Sequence, residues 1–278
     1  MLDAPKSSRP ALFAAILLAG RGAVAQAPLG IPRELARARA QRLHDVRYRL
    51  GFALMPTADS VAGREQLRFV RRGAESEWLD FREGGIRRLT INGHAAATTI
   101  QNGHVKLPAP LLQAGENLVE IEFSAPIALA GKALTRFEDV DDGSEYIYTV
   151  FVPMDAEMAF PCFDQPDLKA RFQLTLTVPQ DWTKISNTTE VKNGAAPQQL
   201  EFAETKPIST YLFAFAAGPF QKVSDTSRLP GVYIRKSKAQ KAPAAARLGC
   251  DRAARRVEWR EHRVRDLAGG LSALRLRQ

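Results

Sequence analysis

The chain has 278 residues, 45% hydrophobic and 25% charged, which is apolar enough to bury a sizeable core and excludes a wholly disordered chain. Its net charge of +9 invites a nucleic-acid reading, but Met1 to Ile234 holds 26 basic and 26 acidic residues, and Arg235 to Gln278 holds 13 and 4, so the excess belongs to a tail. Cys162 and Cys250 are too few for a disulfide framework or a four-cysteine zinc site, and Cys162 is expected to be a buried, reduced thiol.

The first residues read as an export signal. Lys6 and Arg9 form a positive start, Ala11 to Ala19 an apolar stretch, and Ala23-Val24-Ala25 a small-residue cleavage site, so residues 1–25 are expected to be removed. No run reaches the roughly 18 apolar residues that span a bilayer. The expectation is an exported protein, periplasmic or secreted, with no transmembrane segment.

Pro32 suits a first helical turn, and Leu35, Ala36, Ala40 and Leu43 recur at helical spacing, which predicts a short amphipathic helix through His44. The period then changes to two. Val46, Tyr48, Leu50, Phe52 and Leu54 alternate with Arg47, Arg49, Gly51 and Ala53, the pattern of a half-buried strand. Further strands are predicted at Gln66 to Val70, Ile86 to Ile91, Leu118 to Phe123, Tyr146 to Val152, Phe172 to Val178, Leu200 to Phe202 and Tyr211 to Ala217. Turn signals at Asn92-Gly93, Gly115-Glu116-Asn117, Asp142-Gly143 and Asn193-Gly194 separate them. This is the pattern of an all-β domain, a β-sandwich or saddle of packed sheets. Asp139 to Ser144 lacks the spaced ligands of a calcium loop and reads as a solvated acidic turn. Ala242 to Gln278 holds nine Arg and no Lys, with no convincing strand or amphipathic repeat. It is expected to be disordered or the product of a GC-rich gene read out of frame.

The run Phe160-Pro161-Cys162-Phe163-Asp164-Gln165-Pro166 fixes two backbone φ angles around a tight segment, in which Asp164 can accept hydrogen bonds from otherwise stranded N–H groups. A structural role for Asp164 follows. With the Gly115-Glu116-Asn117 turn, Ser186-Asn187, Glu204-Thr205-Lys206-Pro207 and Ser209 to Phe215 in the same order, the chain resembles the aminopeptidase N family of zinc exopeptidases over Gly30 to Lys241. The resemblance implies a domain at 30–241 equivalent to the family's N-terminal β domain, with zinc and the catalytic glutamate in a following domain that this chain does not reach. It also implies a loop upstream of the run bearing a glutamine or glutamate pair that binds the substrate's free amino group. The corresponding positions are Val150 and Val152, which offer an ammonium no acceptor and are expected to form an apolar rim or to be ordinary strand residues.

A zinc exopeptidase needs two histidines one helical turn apart with a glutamate between them. His44, His94, His104 and His262 contain no such pair, and the Gly-x-Met-Glu-Asn signature is missing. No catalytic residue, metal ligand or cofactor is therefore assigned to this chain; zinc belongs to the full-length family. Peptides would be its substrates only when it is joined to a catalytic domain. The competing reading is a stand-alone β binding or scaffold module whose basic tail meets nucleic acid or another anionic surface. With Trp259 its one aromatic, that tail lacks bases' stacking partners, so no nucleic acid is expected.

Overall fold

A computed structural model describes residues 27–191, 198–222 and 233–239. The expected leader, the Asn193-Gly194 turn and the 242–278 stretch with Cys250 lie outside the described residues. Helix α1 spans Arg33–Arg42, built from Ala, Leu, Arg and Gln with high helical propensity, and the extended conformation of Leu43 ends it. The helix is shorter than its apolar spacing suggested, because Leu43 and His44 already pair with the neighbouring strand.

Strands follow as β1 (Leu43–Ala53), β2 (Ser60–Arg71), β3 (Glu77–Asp80), β4 (Gly85–Ile91), β5 (His94–Ala95), β6 (Ile100–Gln101), β7 (His104–Leu107) and β8 (Gly115–Pro126). Then come β9 (Leu134–Glu138), β10 (Glu145–Thr149), β11 (Ala170–Thr177), β12 (Thr183–Ser186), β13 (Glu190–Val191), β14 (Gln199–Phe202), β15 (Phe215–Gly218), β16 (Phe220–Lys222) and β17 (Tyr233–Arg235), with a short helix α2 at Lys236–Ala239. An eight-stranded sheet runs β13-β14-β11-β1-β2-β8-β4-β5. A four-stranded sheet, β12-β15-β10-β9, and a three-stranded sheet, β3-β7-β6, accompany it. The domain is all-β, as the alternation predicts.

Period two works as expected in β1, where Val46, Tyr48, Leu50 and Phe52 are buried and the residues between them face outward. Tyr48 stacks on Phe172 of β11 with ring centroids 5.0 Å apart, and Phe172 stacks on Phe213 at 4.8 Å. Phe52 meets Phe215 of the four-stranded sheet at 5.0 Å, so aromatic side chains weld the two layers.

Two predicted strands are corrected. Tyr146 to Val152 stops being a strand after Thr149; Val150 donates its N–H to the Ala133 carbonyl at 3.0 Å, in the register of the β9 pairing, and Phe151 and Val152 lie beyond the strand. Tyr211 to Ala217 divides into a 3-10 turn at Thr210–Leu212 and the strand β15, because side chains of the turn bond elsewhere. The Asp139 to Ser144 turn is not simply solvated: Asp139 is buried, paired with Arg235 at 3.0 Å and accepting from the Ser237 hydroxyl at 2.7 Å.

Strand β2 carries an exception on its core face. Glu65 lies opposite Leu50 and Ile121, is 2% exposed, and neither carboxyl oxygen has a hydrogen-bond partner. Burial raises its pKa well above the ordinary value of 4.5, because desolvation disfavours the charged form. A raised carboxyl pKa contributes stability that is fully present below the unfolded value and is lost as pH rises toward the folded one. Glu65→Leu is expected to raise Tm at pH 8 by roughly 4–8 °C, the equivalent of about 2 kcal/mol, with a smaller gain at pH 4. Thermal unfolding of the two proteins across pH checks this; an equal or lower Tm for the variant at pH 8 would refute it.

Candidate functional site

The Pro161 to Pro166 run is anchored on one buried carboxylate. Asp80, at the end of β3, receives Arg39 Nη1 on Oδ2 at 2.7 Å and Arg39 Nη2 on Oδ1 at 2.5 Å, and both side chains are fully buried. Its Oδ1 also meets His104 Nδ1 at 2.8 Å, and its Oδ2 accepts the Asp164 N–H at 2.9 Å. Backbone bonds join Asp80 to Cys162 in both directions, at 2.8 and 3.0 Å. Burial pushes the Asp80 carboxyl up, but the Arg39 guanidinium and the His104 hydrogen bond outweigh it and hold it below its ordinary value.

Asp164 takes the structural role expected of it. Its Oδ2 accepts the Glu157 N–H at 3.1 Å and its Oδ1 the Thr210 hydroxyl at 2.5 Å. Burial, together with the charge of Asp80, raises its pKa despite these bonds. The Phe163 N–H donates to the Tyr48 hydroxyl at 2.9 Å, and Gln165 Nε2 donates to the Ala36 carbonyl of α1 at 2.9 Å. Cys162 is buried and free, its thiol pKa raised by burial and the surrounding carboxylates. It is a packing residue.

The segment just upstream stands on this base. Phe151 leans on Phe160 with centroids 6.2 Å apart, while Val150, Val152 and Met154 are 48%, 57% and 47% exposed. Met154 adopts φ +71, a left-handed conformation uncommon for a long side chain. Arg82 brackets the turn, donating to the Met154 carbonyl at 3.3 Å and to Asp155 Oδ1 at 2.6 Å, with Nε 3.2 Å from Glu157 Oε1. Burial and the Asp80 charge raise the Glu157 pKa to about 7 against the pull of Arg82. Val150 and Val152 thus present an apolar edge with no acceptor, and the nearby carboxylates are already engaged by Arg82.

Zinc does not fit the described donors. His104 uses both ring nitrogens, the second facing the Gly30 carbonyl at 2.8 Å, and Asp80 is saturated by four donors. Among the described residues no three His, Cys, Asp or Glu side chains are grouped to hold a metal ion. The residues that reasoning from sequence missed are Arg39, Asp80, His104, Glu157 and Thr210, which are scattered along the chain and meet only in the fold.

Residues 75–212 match the family model described as the Peptidase M1 N-terminal domain, the span that contains β3, the exposed edge and the Pro161 to Pro166 run. The chain belongs to the M1 peptidase family, as an N-terminal domain. Aminopeptidase N of Streptomyces lividans is 34% identical over 229 residues, covering 78% of this chain and 26% of that protein. Probable aminopeptidase 1 of Sulfurisphaera tokodaii is 37% identical over 95 residues, covering 34% of this chain and 12% of that protein. Native leukotriene A4 hydrolase from Saccharomyces cerevisiae superposes with a TM-score of 0.61 at 16% identity, over 72% of this chain and 32% of that one, which supports the fold. The M1 domain therefore spans about a quarter of the Streptomyces relative's length.

Arg39→Met would leave Asp80 ionised and buried beside Asp164, and removal of one partner of such a pair costs about 3–5 kcal/mol. The expected result is a lower denaturant midpoint at unchanged m-value. A loss below about 1 kcal/mol would show that the pair does not hold the segment.

Proposed function

We propose that this chain serves as the N-terminal domain of an exported zinc metalloaminopeptidase, an enzyme that removes amino acids from the free N-termini of peptides. The observation that carries the reading is the exposed Val150 to Met154 edge, held by Arg82 and by the buried Asp80 network; by the resemblance, it corresponds to the loop that binds the substrate's free amino group. Zinc and its hydrolytic groups come from a catalytic domain outside the described residues. The M1 domain contributes a rigid wall, apolar where relatives of the resembled kind place amine acceptors.

Alone, the chain is expected to bind no stoichiometric zinc and to release no amino acid from alanine or leucine anilides; one zinc per chain with chelator-sensitive hydrolysis would overturn this. Exported material should begin at Gln26, which intact mass decides.

Fused ahead of an M1 catalytic domain, the chain should support hydrolysis. In that fusion, Val150→Gln with Val152→Glu should raise kcat/KM for substrates with a free amino terminus by about 10- to 100-fold, the scale of a charge-assisted hydrogen bond. An unchanged kcat/KM would place the edge away from the substrate. A fusion without activity, from two well-folded parts, would favour the stand-alone binding module instead.

A further inference from the structure

The outward face of the eight-stranded sheet holds a depression that the fold does not require. Cross-strand register sets Thr175, Gly51, Arg64 and Glu122 in one row over β11, β1, β2 and β8, with Arg88 of β4 next to Glu122. The absent side chain at Gly51 opens a gap between Thr175 and Arg64, part of a hollow of about 530 Å³ that Arg49 also lines. The hollow is open to solvent, with room for the head group of a small molecule.

Gly51 is not explained by backbone or packing. Its φ is not positive, and a Cβ built there would meet only the Arg64 carbonyl oxygen, at an ordinary 3.9 Å. Gly63 on the core face differs, since a Cβ there would meet the Phe123 ring at 2.2 Å. Glycine weakens a strand interior and marks places where something approaches the backbone closely.

The charges around the gap are unequal in their commitments. Glu122 is held by Arg87 and Arg88, and Glu120 by Gln66 and Thr90. Arg49 and Arg64 are exposed, and among the described residues neither guanidinium has a side-chain hydrogen bond or an ion pair. Arg49 lies opposite Gln66 and Arg64 opposite Gly51, so the two guanidiniums are diagonal neighbours. Such positions are roughly 7–8 Å apart, within reach of long side chains converging on one anion. An oxyanion lying between two such arginines would meet both in charge-assisted bonds.

We propose that Arg49, Arg64 and the Thr175 hydroxyl, gathered around the Gly51 gap, bind the oxyanion head, a phosphate or sulfate ester, of a small polar molecule. The lining is polar, which suits a hydroxyl-rich body better than an apolar one.

Isothermal titration of the full chain with inorganic phosphate and with inorganic sulfate, at ionic strength held constant with chloride, tests this. Saturable binding by one or both is expected, and the tighter anion names the ester. Arg49→Ala and Arg64→Ala should each weaken binding by about tenfold, the loss of one charge-assisted contact. Gly51→Val keeps every arginine, including those of the tail, and should weaken binding equally while leaving Tm unchanged or higher; Gly51→Ala serves if the valine variant does not fold. Arg68→Ala, whose guanidinium pairs with Glu116, should bind as the wild type does. The proposal is overturned if phosphate and sulfate act no differently from chloride, if filling the Gly51 gap leaves binding intact, or if Arg68→Ala weakens it as much as Arg64→Ala.

Discussion

One buried ion pair, Arg39 with Asp80, carries the local order of this domain. Each ion loses several kcal/mol of hydration on burial, so the pair persists only because Asp80 is saturated by Arg39, His104 and the Asp164 N–H. A network of this kind adds little net stability over an apolar replacement. What it adds is registry, because any other arrangement of α1, β3 and the Pro161 to Pro166 run would strand a charge in the core. The run meets β3 through Cys162 and α1 through Gln165, so three elements distant in sequence have one mutual placement.

The exposed edge inherits that placement. Arg82 follows Asp80 by two residues and holds the backbone and side chain of the 154–157 turn, so whatever fixes β3 also fixes Val150, Val152 and Met154. A loop whose Val150, Val152 and Met154 side chains face water is thereby backed by a hydrogen-bonded core. In the proposed reading such a placement suits a wall against which substrate is held.

Much of the fold was legible because alternation is a direct record of which face is buried: Val46 to Phe52 and Phe172 to Leu176 need no tertiary information. The failures have physical causes. Arg39 in a run of Arg and Ala reads as solvent-facing, and nothing local shows that its charge is met by a carboxylate in β3. Glu65 interrupts the apolar alternation of β2, so the strand was legible only from Gln66 although it begins at Ser60. The apolar run Tyr211 to Ala217 reads as one strand, yet Thr210 and Ser209 spend their hydroxyls on Asp164 and the Pro166 carbonyl and hold the first half in a turn. Of the candidate site, the Pro161 to Pro166 run and the missing acceptors at Val150 and Val152 could be read from the chain; the donors that brace them could not.

The parallel pairing of β1 with β11 sets an order of events during synthesis. Every other contact within the large sheet is antiparallel, and the β1 with β2 and β2 with β8 pairings can form as soon as those strands exist. Val46 must wait for Ala170, and closure of a long loop before its contacts are rewarded is slow. Until then the open edge of β1, with Tyr48 unshielded by Phe172, is a template for stray strands. A nascent chain is therefore most exposed to misassembly in the interval between emergence of β8 and emergence of β11, the interval in which a holding chaperone would have the most to protect.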